Sequence, residues 1–196
     1  MSSRVKKLLV ISALVVVILI PLVFIIRGQA AKKASEPAPS STPVRLSYTS
    51  AKHNFALKFP QYWLDEEFED PIVNLTSPRP PDDKEYSGAT ISVKVFKKLS
   101  EEDRDVTLDD FVVKSEDNLR QYAQNYTRIS LEETKISNLP ARILTWNMSA
   151  EKTMITRQAI LFKDDSIYVI TYSSLAEYDD LYASAFDLVT STFRFY

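Results

Sequence analysis

Cysteine, histidine and glycine, which carry much of enzyme chemistry, are nearly missing from this chain of 196 residues. It has no cysteine, one histidine (His53) and two glycines (Gly28 and Gly88). A zinc site needs about three protein ligands, chiefly histidine or cysteine, and phosphate-binding loops need several glycines close together. His53 lies in a predicted hairpin turn, which is typical of a solvated residue rather than of a catalytic triad. The sequence therefore predicts a protein that is not an enzyme and has no cofactor.

Charge is missing from one long stretch near the N-terminus. Between Leu8 and Ile26 no residue is charged, and Pro21 is the main interruption of a hydrophobic run. As a helix this run would measure about 28 Å, close to the roughly 30 Å hydrocarbon core of a bilayer. A proline is tolerated inside a membrane helix more readily than inside a soluble one. We predict one transmembrane helix over residues 8–26, preceded by a cytoplasmic tail of residues 1–7.

Two other interpretations of the hydrophobic run stay open. The basic residues before it and the small residues of "GQA" after it also fit a cleaved signal peptide, although such peptides usually have a shorter apolar part of about 7–15 residues. A buried soluble helix would show a polar face, which this run lacks. Basic residues are balanced on its two sides, so we assign the orientation from the short tail, which is expected to stay in the cytoplasm. We expect a single-pass protein of the cell membrane with an extracytoplasmic C-terminal domain.

Residues 27–45 are rich in proline and serine. This composition favours an extended chain and cannot build a core, so we predict a linker to one globular domain at residues 46–196. Residues 1–43 carry six basic side chains and one acidic one, which leaves 18 of the 24 basic and 25 of the 26 acidic side chains to the rest, a net charge of −7. A domain with that charge and no basic stripe is not expected to bind nucleic acid.

Hydrophobic and polar residues alternate over many short stretches of the domain, as in "FALKF" and "ISVKV", which indicates half-buried strands. Turn residues separate these stretches at hairpin distances, which favours antiparallel pairing. Two helices are predicted, one opening at Thr107 with Asp110 in a capping box and one opening at Ser174 with Glu177 in the same role. The expected fold class is α+β, a twisted antiparallel sheet with a helix on each face.

Carboxylates are the remaining candidates for a ligand site. Calcium prefers several oxygen ligands, and the acidic loops supply Asp65, Glu66, Glu69, Asp82 and Asp83 as candidates. No EF-hand spacing or glycine-marked loop accompanies them, and solvated acidic loops are the plainer interpretation. Paired carboxylates could also serve glycoside hydrolysis, but nothing in the sequence indicates the cleft that this reaction needs.

Aromatic residues are plentiful, with ten tyrosines and two tryptophans. Tyr122, Tyr126, Tyr178 and Tyr182 recur at helical spacing. This spacing favours packing at the edge of the core over a carbohydrate or peptide groove.

Four stretches of the domain occur in the order and spacing of a known family. They are "HNFALKFPQYW", "LDDFVVKSEDNL", "ISNLPARILTW" and "FDLVTSTFRFY". They resemble the opening strand, the central helix, the strand pair and the closing helix of PsbP-like domains, and the resemblance extends from Tyr48 to Tyr196. The chain differs at Leu139, where family members often have glycine. The resemblance implies an α/β/α sandwich.

The same resemblance implies where such a protein works. In plants and cyanobacteria, PsbP proteins sit on the lumenal side of photosystem II and help to retain calcium and chloride. A broader prokaryotic set is exported or membrane-tethered, and the anchor and linker make this chain more similar to that set. We therefore expect a membrane-anchored, extracytoplasmic, non-catalytic domain that binds a protein partner or assists a membrane complex. A calcium- or ligand-sensing domain of the cell envelope is the alternative, and an envelope hydrolase is a second one.

Overall fold

The computed structural model describes residues 45–66, 72–83, 85–97, 105–123, 125–149 and 151–196. The predicted tail, the transmembrane helix and the linker up to residue 44 lie outside the described residues, so they stay predictions. Within these ranges, no helix is long and apolar enough to cross a membrane.

Ten strands and two α-helices make up the described part of the chain. The strands are β1 (Arg45–Ser50), β2 (Phe55–Pro60), β3 (Leu64–Glu66), β4 (Val73–Thr76), β5 (Thr90–Lys97), β6 (Thr127–Ile136), β7 (Leu139–Ser149), β8 (Thr153–Lys163), β9 (Ser166–Leu175) and β10 (Arg194–Phe195). The helices are α1 (Leu108–Tyr122) and α2 (Asp179–Thr192), and a 3-10 turn, Ala176–Tyr178, precedes α2.

The strands form two antiparallel sheets, whereas the sequence predicted one. Seven strands, in the order β3-β4-β5-β9-β8-β7-β6, form the large sheet, and β1, β2 and β10 form a small one with β2 in the middle. The last strand, β10, pairs with β2 through Arg194 and Phe195. The ring of Phe55, at the start of β2, stacks on Phe193 with the centroids 5.0 Å apart. The first hairpin therefore packs against the end of α2 instead of extending the large sheet.

The two helices lie on opposite faces of the large sheet. Along β9, Ile170 shares the main core with Phe186 of α2, whereas its neighbour Val169 packs with Val112 of α1. Successive residues of a strand point to opposite faces, so these two contacts place α2 and α1 on different sides. The expected α+β class is confirmed, with the small sheet as an addition.

Helix α1 begins where the sequence predicted, and α2 does not. The Thr107 hydroxyl accepts the backbone N–H of Asp110 at 3.1 Å, and the Asp110 carboxylate accepts the backbone N–H of Thr107 at 3.1 Å, which is the expected capping box. The predicted start at Ser174 is wrong, because Ser174 is buried in β9 and pairs with Ile155 of β8. The chain continues as a strand to Leu175, and α2 begins at Asp179.

The turn between β6 and β7 explains the difference at Leu139. Ser137 and Asn138 have φ angles of 53° and 62°, the two positive values that a tight mirror-image hairpin turn requires. Leu139 already belongs to β7. A glycine is therefore not needed at that position, because the two preceding residues complete the turn.

Candidate binding surface at the start of helix α2

Three parts of the chain meet where α2 begins: the end of β9, the middle of β8 and the loop between β4 and β5. Polar and aromatic side chains connect them. We call these side chains the α2-entry cluster, which consists of Asp83, Tyr86, Arg157, Tyr172, Ser174, Tyr178 and Asp179.

The Asp179 carboxylate is the centre of the inner half of the cluster. Both terminal guanidinium nitrogens of Arg157 donate to it, at 2.7 and 2.6 Å, and the Tyr172 hydroxyl donates to it at 3.0 Å. The Arg157 guanidinium also lies 5.3 Å from the centroid of the Tyr172 ring. The hydrogen bonds from Arg157 to Asp179 raise the pKa of that guanidinium. Asp179 is the first residue of α2, where the helix dipole favours a negative charge.

The Tyr86 hydroxyl connects the β4–β5 loop to the end of β9. It donates to the Ser174 hydroxyl at 3.2 Å and accepts the backbone N–H of Leu175 at 3.1 Å. Its ring stacks on Tyr178 with the centroids 5.3 Å apart and an interplanar angle of 15°. The hydrogen bonds hold the end of β9, and the stacked ring fixes the 3-10 turn that leads into α2.

Asp83 holds the β4–β5 loop in shape. One of its carboxylate oxygens accepts the backbone N–H groups of Glu85 and Tyr86, at 2.8 and 3.0 Å. These two backbone hydrogen bonds lower the pKa of the Asp83 carboxyl. The other oxygen accepts from the Lys152 ammonium and the Tyr178 hydroxyl, both at 3.4 Å. These last contacts are long for hydrogen bonds, so they are weaker than the two backbone ones.

The outer side of the cluster presents polar groups to solvent. The side chains of Lys152 and Glu177 are 56% and 57% exposed and lie 3.7 Å apart. Tyr178 is half-buried, and Asp82 is exposed beside Asp83. Burial, followed by the charges of Asp82 and Asp83, raises the pKa of Tyr178 to about 12. The phenol therefore stays protonated near neutral pH and acts as a hydrogen-bond donor.

The side chains of this arrangement are already hydrogen-bonded to one another. Burial raises the pKa of Tyr86 and of Tyr172, so neither phenol is a base near pH 7. Each carboxylate of the cluster already accepts several hydrogen bonds. Of the outer groups, tyrosine is a residue type that is enriched at protein-binding surfaces, whereas lysine, glutamate and aspartate are depleted there.

The predicted calcium ligands do not all lie at this surface. Asp82 and Asp83 belong to it, but Asp65 and Glu66 lie in β3, opposite Leu75 and Asn74 of β4. Glu69 lies outside the described residues. No group of three or more His, Asp or Glu side chains that could hold a metal is present among the residues described.

His53 lies in the β1–β2 turn, where the sequence placed it. Its backbone carbonyl accepts the Tyr168 hydroxyl at 3.1 Å. Burial, followed by the charge of Lys52, lowers the pKa of its imidazole.

The four tyrosines at helical spacing have different environments. Tyr182 is buried, and its hydroxyl donates to the Pro78 carbonyl at 2.8 Å. Tyr178 lies in the 3-10 turn before α2, and Tyr126 packs on Trp146 beyond the end of α1. The prediction of core-edge packing is wrong for Tyr122, which is 50% exposed.

Sequence reasoning missed the pair of Arg157 and Asp179. These residues occupy a strand and a helix start, and no local pattern connects them. The missed signal was the acidic pair Asp179–Asp180, which is typical of a first helical turn and would have placed the start of α2 correctly.

A family model described as PsbP-like protein matches residues 9–195. The comparison with curated proteins found no match.

Solved structures share the fold at low sequence identity. Cyanobacterial PsbP (CyanoP) from Synechocystis sp. PCC 6803 has a TM-score of 0.56 at 16% identity, over 83% of this chain and 98% of that one. LpqN of Mycobacterium tuberculosis, described as involved in cell envelope biogenesis, has a TM-score of 0.59 at 13% identity, over 77% and 90%. PA94 of Pseudomonas aeruginosa, of unknown function and described as a putative regulator, has 0.52 at 13%, over 73% and 91%. At these identities the likeness shows the fold alone.

Proposed function

The chain belongs to the PsbP-like protein family, and from that premise we propose that it is a membrane-anchored, extracytoplasmic domain without catalytic activity that binds a protein partner. The hydrophobic run at residues 8–26 supports the anchor, since it has the length and apolarity of a membrane helix. The family match begins at residue 9, so it includes most of this run together with the domain. A structural neighbour with a described role in cell envelope biogenesis supports an envelope location.

The outer side of the α2-entry cluster is our candidate for the partner surface. The observation that carries this proposal is that the Tyr178 ring is held firmly, whereas the polar contacts at the surface beside it are long and weak. Tyr178 is fixed by stacking on Tyr86, while its hydroxyl and the Lys152 ammonium touch Asp83 at 3.4 Å. Binding costs less when the contact residues are already ordered, and tyrosine is enriched among the residues that dominate binding.

The absence of catalysis is part of the proposal. A general acid or base needs a pKa near the working pH and access to substrate. Asp179 is enclosed by Arg157 and Tyr172, and Asp83 is held by two backbone N–H groups. These hydrogen bonds support a structural role for the two carboxylates of the cluster.

Photo-crosslinking in native membranes tests this function. A photoreactive amino acid in place of Glu177 is expected to give one reproducible adduct with a partner protein after irradiation of intact membranes. The matched control carries the same amino acid in place of Arg194, an exposed residue beyond the far end of α2, about 21 Å along the helix axis. The absence of any adduct at Glu177, or an identical adduct at both positions, would refute the proposed surface.

A further inference from the structure

A second surface lies between helix α1 and strand β6, on the opposite side of the large sheet from α2. Its centre is Glu116 of α1, which is 5% exposed. One Glu116 oxygen accepts from Arg120 at 2.8 Å and from the Tyr126 hydroxyl at 3.1 Å, and the other accepts from Arg128 at 3.0 Å. We call Glu116, Arg120, Arg128, Ile129 and Leu131 the α1–β6 shelf.

The shelf has a net charge of +1. A single carboxylate faces two guanidinium groups, whose side chains are 55% and 46% exposed for Arg120 and Arg128. Each of the two places one nitrogen on Glu116, while a guanidinium has five N–H donors in total. The remaining donors therefore face solvent, held in place by a buried anion. The neighbouring cation on this face, Arg142, contacts two carboxylates, Asp109 and Glu133.

Apolar side chains adjoin these arginines. Ile129 and Leu131 of β6 are 52% and 41% exposed. Arg128 pairs with Trp146 and Leu131 pairs with Leu144 across the β6–β7 ladder, and both partners belong to one hydrophobic cluster under α1. Arg128 and Leu131 therefore lie on the same face of the sheet, beside each other.

Strand β6 ends the large sheet. It pairs with β7 on one side, and within the described ranges no strand pairs with its other edge. The register shifts between Arg128 and Ser130, so Ile129 is the extra residue of a bulge. From Ser130 to Ile136 the strand is regular, and an open edge of that length is a template for a further strand.

We propose that the α1–β6 shelf binds an extended acidic segment of another protein, which adds to the edge of β6. Acidic side chains of the segment contact Arg120 and Arg128, and an apolar side chain rests on Leu131. Charge complementarity favours this occupant at the Arg128 end of β6, because the guanidinium groups of Arg120 and Arg128 are exposed there while the domain as a whole carries −7. The exposed carboxylates of Glu132 and Glu133 lie further along the strand, so the acidic side chains of the segment belong at the Arg128 end. The edge strand selects an extended segment over a helix, since the backbone groups of β6 need a strand as partner. This surface is separate from the α2-entry cluster.

A labelled peptide with the repeat Glu-Thr-Val-Thr tests the proposal on the purified full-length chain in detergent micelles, because residues two apart share a face of a strand and this repeat places glutamate and valine on the same face. We expect fluorescence anisotropy to show binding at low ionic strength, weakening as salt is added. The same peptide with lysine in place of glutamate is expected to bind at least about tenfold more weakly. A glutamate peptide with N-methylated backbone amides is also expected to lose affinity, because it cannot complete a strand ladder.

Matched variants locate the site. Arg128→Gln is expected to weaken binding about tenfold, and Leu131→Ser by a smaller factor, while Arg194→Gln leaves it unchanged. Arg128→Gln removes one partner of the buried Glu116 carboxylate, so thermal unfolding is used to check that this variant is folded. If it is not, Leu131→Ser still tests the site, because it changes an exposed residue. Three results would each overturn the proposal. The glutamate and lysine peptides could bind with equal affinity, Leu131→Ser and Arg194→Gln could bind the glutamate peptide equally well, or no binding could be seen at about 1 mM peptide. The proposal would also be overturned if Arg120 and Arg128 were needed for binding to anionic lipid vesicles and not for binding the peptide.

Discussion

Arg157 binds Asp179 through both terminal guanidinium nitrogens, at 2.7 and 2.6 Å. This pair ties the middle of β8 to the first residue of α2. Tyr172 adds a third hydrogen bond to the same carboxylate, so three elements meet at one anion. The pair is largely enclosed, with side-chain exposures of 23% and 12% for Arg157 and Asp179.

Replacing Arg157 is therefore expected to destabilise the fold. Arg157→Leu would leave the Asp179 carboxylate enclosed without its cation, which costs roughly 3 kcal/mol of the free energy of unfolding. The measurement is urea unfolding of the full-length chain in detergent, followed by tryptophan fluorescence. The control is Lys163→Gln, since its partner Asp164 is 82% exposed and an exposed ion pair contributes little to stability; this variant is expected to lose much less than Arg157→Leu. Equal losses for the two variants would contradict the structural role of Arg157.

The β4–β5 loop, which Asp83 holds, is expected to lose stability at acidic pH. Backbone hydrogen bonds from Tyr86 and Glu85 lower the pKa of the Asp83 carboxyl below its ordinary value of 3.8. A carboxyl whose pKa is lower in the folded state adds stability above its unfolded pKa, and that stability is lost as the pH falls through the folded pKa. Amide hydrogen exchange should show protection of the Glu85 and Tyr86 N–H groups at pH about 5 that declines below pH about 3.8. In Asp83→Asn this dependence on pH should vanish; if it persists, another group controls the loop.

Gly88 is expected to be irreplaceable for a steric reason. Its φ is +105°, and a Cβ there would lie 2.6 Å from both the carbonyl and the hydroxyl oxygen of Ser77. The Ser77 hydroxyl accepts the backbone N–H of Ala89 at 2.8 Å, so it cannot move away without losing that bond. Gly88→Ala should lower the free energy of unfolding by about 2 kcal/mol or more. The control, Ser87→Ala, should change the free energy of unfolding by about 0.5 kcal/mol at most. If Gly88→Ala unfolds at the same temperature as the unchanged chain, the close approach of Gly88 to Ser77 is refuted.

Calcium should leave the stability of the full-length chain unchanged on our account. A ligand that binds the native state alone raises its stability, by about 2.7 kcal/mol at 100 times its dissociation constant. The alternative calcium site therefore predicts a higher melting temperature in millimolar calcium. A rise that disappears in the double variant Asp82→Asn and Asp83→Asn would establish that alternative. The measurement compares calcium with an equal ionic strength of sodium chloride.

Local patterns in the sequence predicted much of the fold. The alternation around Phe55 to Phe59 indicated β2, and Thr107 with Asp110 marked the start of α1 correctly. Both signals act over a few residues, so they do not depend on the rest of the chain. Ser174 resembled a helix cap for the same local reason, but its pairing with β8 kept it in a strand.

Long-range pairing could not be predicted in this way. The separation of the first hairpin into a small sheet depends on Phe193 and on β10, which lie at the far end of the chain. The pair of Arg157 and Asp179 likewise depends on how β8 and α2 pack. Of the candidate site, the sequence identified Asp82 and Asp83 as acids in a loop, but not the tyrosines and the cation that give that loop its surroundings.

The most direct test of the account is the topology of the chain in living cells. Because the chain has no cysteine, the variant Ser40→Cys places a single thiol in the predicted linker. A membrane-impermeant thiol reagent applied to cells, after permeabilisation of any outer membrane alone, should label this residue without lysis. Labelling that appears after lysis alone would place the domain in the cytoplasm and contradict the proposal of an exported, partner-binding domain.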